Sequence, residues 1–198
     1  MDRTTATAFS KLSPSITKMI RMDHSHVMVL SHKYAADTSP DRKKAIADAV
    51  CLALEIHAQL EEEIFYPALR EVDSGNQALA KAQPEHDEMR RLIQQIRGLA
   101  AGEPSHDQTF RQLMRSVMHH VADEEAELLP AAERLLGQRL QELGARMTQR
   151  RLQLAAPHAG EMALSHLRAM PAGTMLLAGG LIATAYLLGR RGPQYRHH

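Results

Sequence analysis

Apolar residues recur at alternating three- and four-residue steps through most of residues 14–136. One seam is Ile16, Ile20, His24 and Val27, and a second is Ala47, Val50, Leu54, His57, Glu61, Ile64 and Ala68. A third runs Leu79, Ala82, His86, Met89, Ile93 and Ile96, and a fourth Leu113, Val117, His120, Glu124, Leu128, Ala131 and Leu135. That spacing lays each set along one face of an α-helix. Turn and cap signals separate the seams. Ser13-Pro14 and Ser39-Pro40 read as N-caps with proline at the first helical position. Asp73-Ser74-Gly75-Asn76 and Gly102-Glu103-Pro104-Ser105 break the chain. The pattern predicts helices over 14–37, 39–72, 77–101 and 106–136, with a polar, Arg-rich helix over 138–154. Pro84 predicts a kink or a late start in the third helix, and Gly137 a stop to the fourth. Short connections make neighbours antiparallel. The expected fold is all-α: an antiparallel up-down four-helix bundle over 12–136, followed by a C-terminal polar helix and an apolar tail helix.

Every seam is interrupted by titratable groups. His24 lies 15 residues before Ser39 and His57 lies 18 after it; His86 lies 17 before Glu103 and His120 lies 17 after it. At about 1.5 Å per residue such offsets agree to within about a turn. Six polar side chains, His24, His57, Glu61, His86, His120 and Glu124, therefore converge at mid-bundle. Buried carboxylates without partners are costly or change protonation state. Metal ions remove that cost, because imidazole nitrogen and carboxylate oxygen are their natural ligands. His57/Glu61 and His120/Glu124 are i,i+4 pairs facing one way from their helices. Two carboxylates with four imidazoles suit a two-metal centre better than a closed tetrahedral zinc site.

Composition narrows the function classes. The formal net charge is +1, from 24 basic and 23 acidic residues, which argues against an electrostatic nucleic-acid binder. With three Phe and no Trp, the core must rest on Leu, Ile, Val, Met and Ala. Cys51 is the single cysteine and fits core filler in a reducing compartment. The first residues hold no apolar core of signal-peptide length, so the main domain is expected in the cytoplasm.

Residues 57–67, HAQLEEEIFYP, are echoed by residues 120–130, HVADEEAELLP. Both read H-x-x-x-E-E with a proline six residues after the first glutamate. Together with Asp23-His24 and Glu85-His86, these segments resemble the hemerythrin-like, or HHE cation-binding, domain family over roughly residues 12–136. The resemblance implies a non-haem di-iron centre. His24, His57, Glu61, His86, His120 and Glu124 would ligate two iron ions, with Glu61 and Glu124 as bridges. It implies binding or sensing of oxygen, iron or redox state, with dioxygen or a related diatomic or peroxide as the small ligand. The alternative it leaves is an enzyme removing peroxide or nitric oxide. Arg90 stands where the oxygen carriers of the family have a second third-helix histidine. A carboxylate (Glu62, Glu125 or Glu85) or a water would fill that place.

Other polar groups receive plainer expectations. His26, His32, His106, His119, His158 and His166 are expected to face solvent. Glu62, Glu63, Glu125 and Glu127 are a solvated face or orient ligand imidazoles. Tyr34 and Tyr66 are packing residues or line the pocket. After a polar linker over 137–168, the 21 residues between Arg168 and Arg190 carry no charge. That length suits a membrane-anchor helix over 169–191, placing the protein at a bacterial inner membrane. The same segment would alternatively make a homo-oligomer through Gly179/Ala183 and Ala185/Gly189.

Overall fold

The computed structural model describes residues 13–160. Helix α1 spans Ile16–Ser31, capped by Ser15, whose hydroxyl accepts from the Lys18 N–H at 3.4 Å. The cap is thus Ser15 rather than Ser13. The helix also stops six residues short of Asp37, because Thr38 Oγ1 accepts the Ala35 N–H at 3.1 Å and ties the chain into a turn. Helix α2, Pro40–Leu60, begins at the expected Ser39-Pro40 signal. It continues through a π-helical turn, Glu61–Phe65, into α3, Tyr66–Arg70. Helix α4, Gln77–Arg97, is capped by Asn76 and runs unbroken past Pro84. Helix α5, Pro104–Asp123, repeats the theme of α2: a π-helical turn at Glu124–Leu128 leads into α6, Leu129–Leu136. Gly137 ends it at a positive φ of 51°, where a side chain would be strained. Helix α7, Arg139–Ala155, follows, and no strand forms among the described residues.

The two π-helical turns have a cause in the sequence. A proline has no N–H for the carbonyl four residues back, and its ring crowds that carbonyl. Pro67 and Pro130 would meet Glu63 and Ala126 in this way. Widening the turn relieves the crowding: the N–H of Tyr66 reaches the Glu61 carbonyl, and that of Leu129 reaches the Glu124 carbonyl. Each proline sits just past a widened turn that opens on a glutamate.

Two apolar cores lie on either side of a polar layer. One gathers Ile16, Ile20, Leu60, Phe65, Leu79, Leu129 and Leu136, and takes Leu143 and Met147 from α7. The other gathers Val27, Ile46, Val50, Cys51, Leu92, Ile93, Phe110 and Leu113. Each fully buried Leu, Ile or Phe contributes roughly 1.5–3 kcal/mol. Helices α1 and α2, α2 and α4, and α4 and α5 pack together, and α7 lies against α1 and α2.

The expectation of a transmembrane helix at a bacterial inner membrane is corrected. Among the described residues no helix is long and apolar enough to cross a membrane. The longest, α2 and α4, have 21 residues each, and charges such as Lys44, Asp48, Lys81 and Arg91 interrupt them. The 169–191 segment, its anchoring or oligomerising role, and His166 lie outside the described residues. The cytoplasmic placement of the main domain was read from its first residues, most of which lie outside the described ones.

Candidate metal centre

All six predicted ligands are buried, and all six lie in the layer between the two cores. His24 comes from α1, His57 from the last turn of α2, His86 from α4 and His120 from the last turn of α5. Glu61 and Glu124 open the two π-helical turns. Their inward atoms form two overlapping groups that could each hold a metal ion: His24, His57, Glu61 and Glu124, and Glu61, His86 and His120. In the first, His24 Nε2 is 3.2 Å from Glu124 Oε2, and His57 Nε2 is 3.2 Å from Glu61 Oε1. In the second, His86 Nε2 is 3.4 Å from Glu61 Oε2 and 3.2 Å from His120 Nε2. Glu61 thus presents one oxygen to each group. Glu124 Oε2 stands 4.0 Å from His120 Nε2.

The Nε2 atoms point inward because each Nδ1 is held by a carboxylate from a neighbouring helix. Asp23 Oδ2 on α1 is 3.4 Å from His57 Nδ1 on α2. Glu62 Oε1, just past α2, is 2.8 Å from His86 Nδ1 on α4. Glu85 Oε2 on α4 is 2.7 Å from His120 Nδ1 on α5. Glu125 Oε1, just past α5, is 2.9 Å from His24 Nδ1 on α1, which closes the ring. Every holding acid is adjacent in sequence to a ligand. Three of the acids are themselves gripped by arginines: Asp23 by Arg151, Glu62 by Arg90 and Glu125 by Arg21. Such outer contacts fix the tautomer and ring orientation of metal-binding imidazoles.

The donor set fits a cation. His24 Nε2, His57 Nε2, Glu61 Oε1 and both Glu124 oxygens are buried without a hydrogen-bond partner. Orphaned polar atoms at this density are costly unless something binds them. The electrostatics of the protein alone show the same conflict. Burial, then the charge of Glu124, pushes the Glu61 carboxyl well above its ordinary range. Burial acts on Glu124 as well, but the His24 ring at 3.2 Å and the other nearby imidazoles hold it low. Burial also depresses His57, His86 and His120. Three neutral imidazoles beside these acids are suited to bind cations.

Tyr66 belongs to the site. Its hydroxyl donates to Glu61 Oε2 at 3.1 Å and lies 3.5 Å from His86 Nε2. In an α-helix a residue five positions on would point roughly 140° away; the π-helical turn returns it to the ligand face. Arg90 turns outward to Glu62 at 2.6 and 2.7 Å instead of entering the layer. A cavity of about 20 Å³ adjoins the imidazoles, walled by Val27, Leu54, Met89, Ile93, Val117 and Val121.

The remaining expectations divide. Glu62 and Glu125 hold imidazoles, while Glu63 and Glu127 are exposed. His26, His32 and His119 are exposed, but His106 is buried and His158 half-buried. His106 Nδ1 meets the Tyr34 hydroxyl at 2.7 Å. That hydroxyl also bonds Asp107, which pairs with the buried Lys43 at 2.6 Å. The apolar spacing did carry a signal: His106 falls four residues before Phe110 and seven before Leu113, on the fourth seam.

The model of the hemerythrin HHE cation binding domain matches residues 15–132. A DNA nickase from a Nostoc species is 32% identical over 121 residues, covering 61% of this chain and 34% of that protein. The chain thus spans about a third of that relative's length. The crystal structure of a hemerythrin HHE cation binding domain-containing protein from Mycobacterium kansasii aligns with a TM-score of 0.64 at 20% identity, over 79% of this chain and 99% of that one. At that identity the likeness is one of fold.

Proposed function

The chain belongs to the hemerythrin HHE cation binding family, and on that premise we propose that it is a non-haem di-iron protein that binds or senses oxygen, iron or redox state. His24, His57 and Glu124 would hold one iron, His86 and His120 the other, and Glu61 would reach both. The observation that carries this reading is the set of five orphaned, buried donor atoms within one layer. Iron bound there supplies open coordination positions and a one-electron redox change.

The protein's own groups set the terms for a ligand. The cavity beside the imidazoles has room for little more than a water-sized body. Apart from the imidazoles, Asp23, Glu55 and Arg90, its wall is aliphatic and thioether, and its small size favours a diatomic over a hydrated anion. The acid–imidazole pairs hold the donors in place, and the flanking cores keep bulk water out. We read the ligand helices as running alternately up and down, with 12–136 as the metal-binding domain and 137–168 as a linker beyond it, of which 161–168 lie outside the described residues.

A second reading is removal of peroxide or nitric oxide at the same centre, supported by Arg90 on the cavity lining. The nickase activity is not carried over, because the match covers a third of that relative and the net charge of +1 offers no field for DNA. The test is metal analysis of the purified chain, with optical spectra before and after oxygen exposure. Two irons per chain and an oxygen-dependent spectrum are expected. Less than about one iron after anaerobic reconstitution would overturn the reading. Multiple turnovers with peroxide or nitric oxide in stopped flow would favour the enzyme.

A further inference from the structure

Helix α7 lies wholly beyond the residues matched by the family, yet it reaches the metal layer. Arg151 donates through Nη1 to Asp23 Oδ1 at 2.6 Å and through Nη2 to Asp23 Oδ2 at 2.5 Å. Asp23 Oδ2 in turn faces His57 Nδ1 at 3.4 Å. The fork geometry of the guanidinium fixes both carboxylate oxygens at once.

We propose that α7 is a working part of the metal site: Arg151 positions Asp23, and through it sets the orientation and donor strength of His57 toward bound metal. The proposal rests on the metal reading above. Three features make the contact a built one. The α7 side chains Leu143 and Met147 are sunk in the core shared with α1. Gly144 lets α7 come so close to α1 that a β-carbon there would collide with the Pro14 carbonyl. Gln141 and Thr148 add hydrogen bonds to Ser13 and Met19. Arg150, one residue before, pairs instead with the exposed Glu63, which touches no imidazole, so the two arginines of this helix have separate tasks.

The chemistry gives a sign. A carboxylate gripped by arginine draws less on the Nδ1–H it accepts, so His57 stays a weaker donor. Removing the arginine makes His57 a stronger donor and takes away a nearby positive charge. Both changes favour the oxidised metal and lower the midpoint potential. Loss of orientation weakens metal affinity; outer contacts of this kind typically govern about tenfold or more.

The test uses the full chain loaded with iron, comparing wild type with Arg151→Gln, Arg151→Lys, Arg150→Gln, Gly144→Ala and His57→Ala. Affinity is read by chelator competition, and the potential by spectroelectrochemistry. Arg151→Gln is expected to weaken iron binding about tenfold and to lower the potential. Arg151→Lys recovers part of both, Gly144→Ala shifts them the same way, and Arg150→Gln leaves them alone. Arg151→Gln with wild-type affinity and potential overturns the proposal while leaving the di-iron reading intact. An equal effect from Arg150→Gln also overturns it, because surface charge alone would then suffice. Iron retained by His57→Ala, or absent from wild type, overturns both.

Discussion

Tyr66 is bonded twice to Glu61: its hydroxyl donates to Oε2 at 3.1 Å, and its backbone N–H reaches the Glu61 carbonyl. The widened turn makes both contacts possible. The second repeat has Leu129 at the matching position, so the layer is chemically lopsided, with a phenol beside the Glu61/His86 group only. Tyr66→Phe is expected to cost the metal-free protein about 1 kcal/mol and to alter the spectrum of the iron-loaded form. Unchanged melting and an unchanged spectrum would remove Tyr66 from the site.

Glu85 holds His120 with no arginine bonded to it among the described residues, whereas Glu62 holds His86 with Arg90 behind it. Glu85→Gln keeps the size and loses the charge. Metal affinity is expected to fall roughly 10–100-fold, measured by competition with a chromophoric chelator. Wild-type affinity in this variant would mean that the His120 contact is idle.

His24 gives a pH signature. Burial works against its charged form, but Glu124 and Glu125 outweigh it and hold the pKa up at about 9. The stability this group adds to the metal-free protein is therefore complete below about pH 6.5 and fades as pH rises through about 9. Metal needs the neutral ring, so loading at pH 7 must expel a proton from His24, and this site's contribution to affinity grows until about pH 9. Calorimetry in buffers of differing ionisation enthalpy reads that release directly. Loading without proton release would contradict it.

The small cavity offers a way to separate ligand from metal. Val117→Phe would project a ring into it at a packing cost of about 1–3 kcal/mol. Iron content is expected to stay at the wild-type level while the oxygen-dependent spectral change slows or vanishes. Wild-type oxygen kinetics would place the ligand elsewhere.

At the far end of the second core, Lys43 is buried and its ammonium meets Asp107 at 2.6 Å, with the Tyr34 hydroxyl on the other oxygen at 2.7 Å. Breaking a buried pair by deleting one partner costs about 3–5 kcal/mol, and partial exposure of Asp107 brings Asp107→Ala down to about 2 kcal/mol. Denaturant unfolding reads the loss, and iron loading should not change. A large fall in iron content would link this cluster to the centre.

The helices and the polar layer were legible because apolar spacing and its interruptions are properties of a single helix. His24, His57, Glu61, His86, His120 and Glu124 all follow from seam position alone. The acid–imidazole ring was not legible as pairings, since Asp23 serves His57 and Glu125 serves His24 across helices, and spacing along one helix says nothing of its neighbour. Its trace was an acid beside four of the six ligands: Asp23-His24, Glu61-Glu62, Glu85-His86 and Glu124-Glu125. The π-helical turns were hidden because local period does not announce one extra residue; only Pro67 and Pro130 marked them. His106 was misjudged by its type rather than its place on the seam. The tail reading rested on apolar length alone and falls on residues outside the described ones.

The ring of braces has a bearing on how the centre can be assembled or dismantled. Each rod both donates an imidazole and steadies that of the next, in the order of the chain and back to the start. Excising any one of them deletes at least one ligand and unsteadies another. Half-molecules should therefore bind metal far worse than half as well, whereas a permuted chain cut between rods, keeping the circuit whole, should lose little.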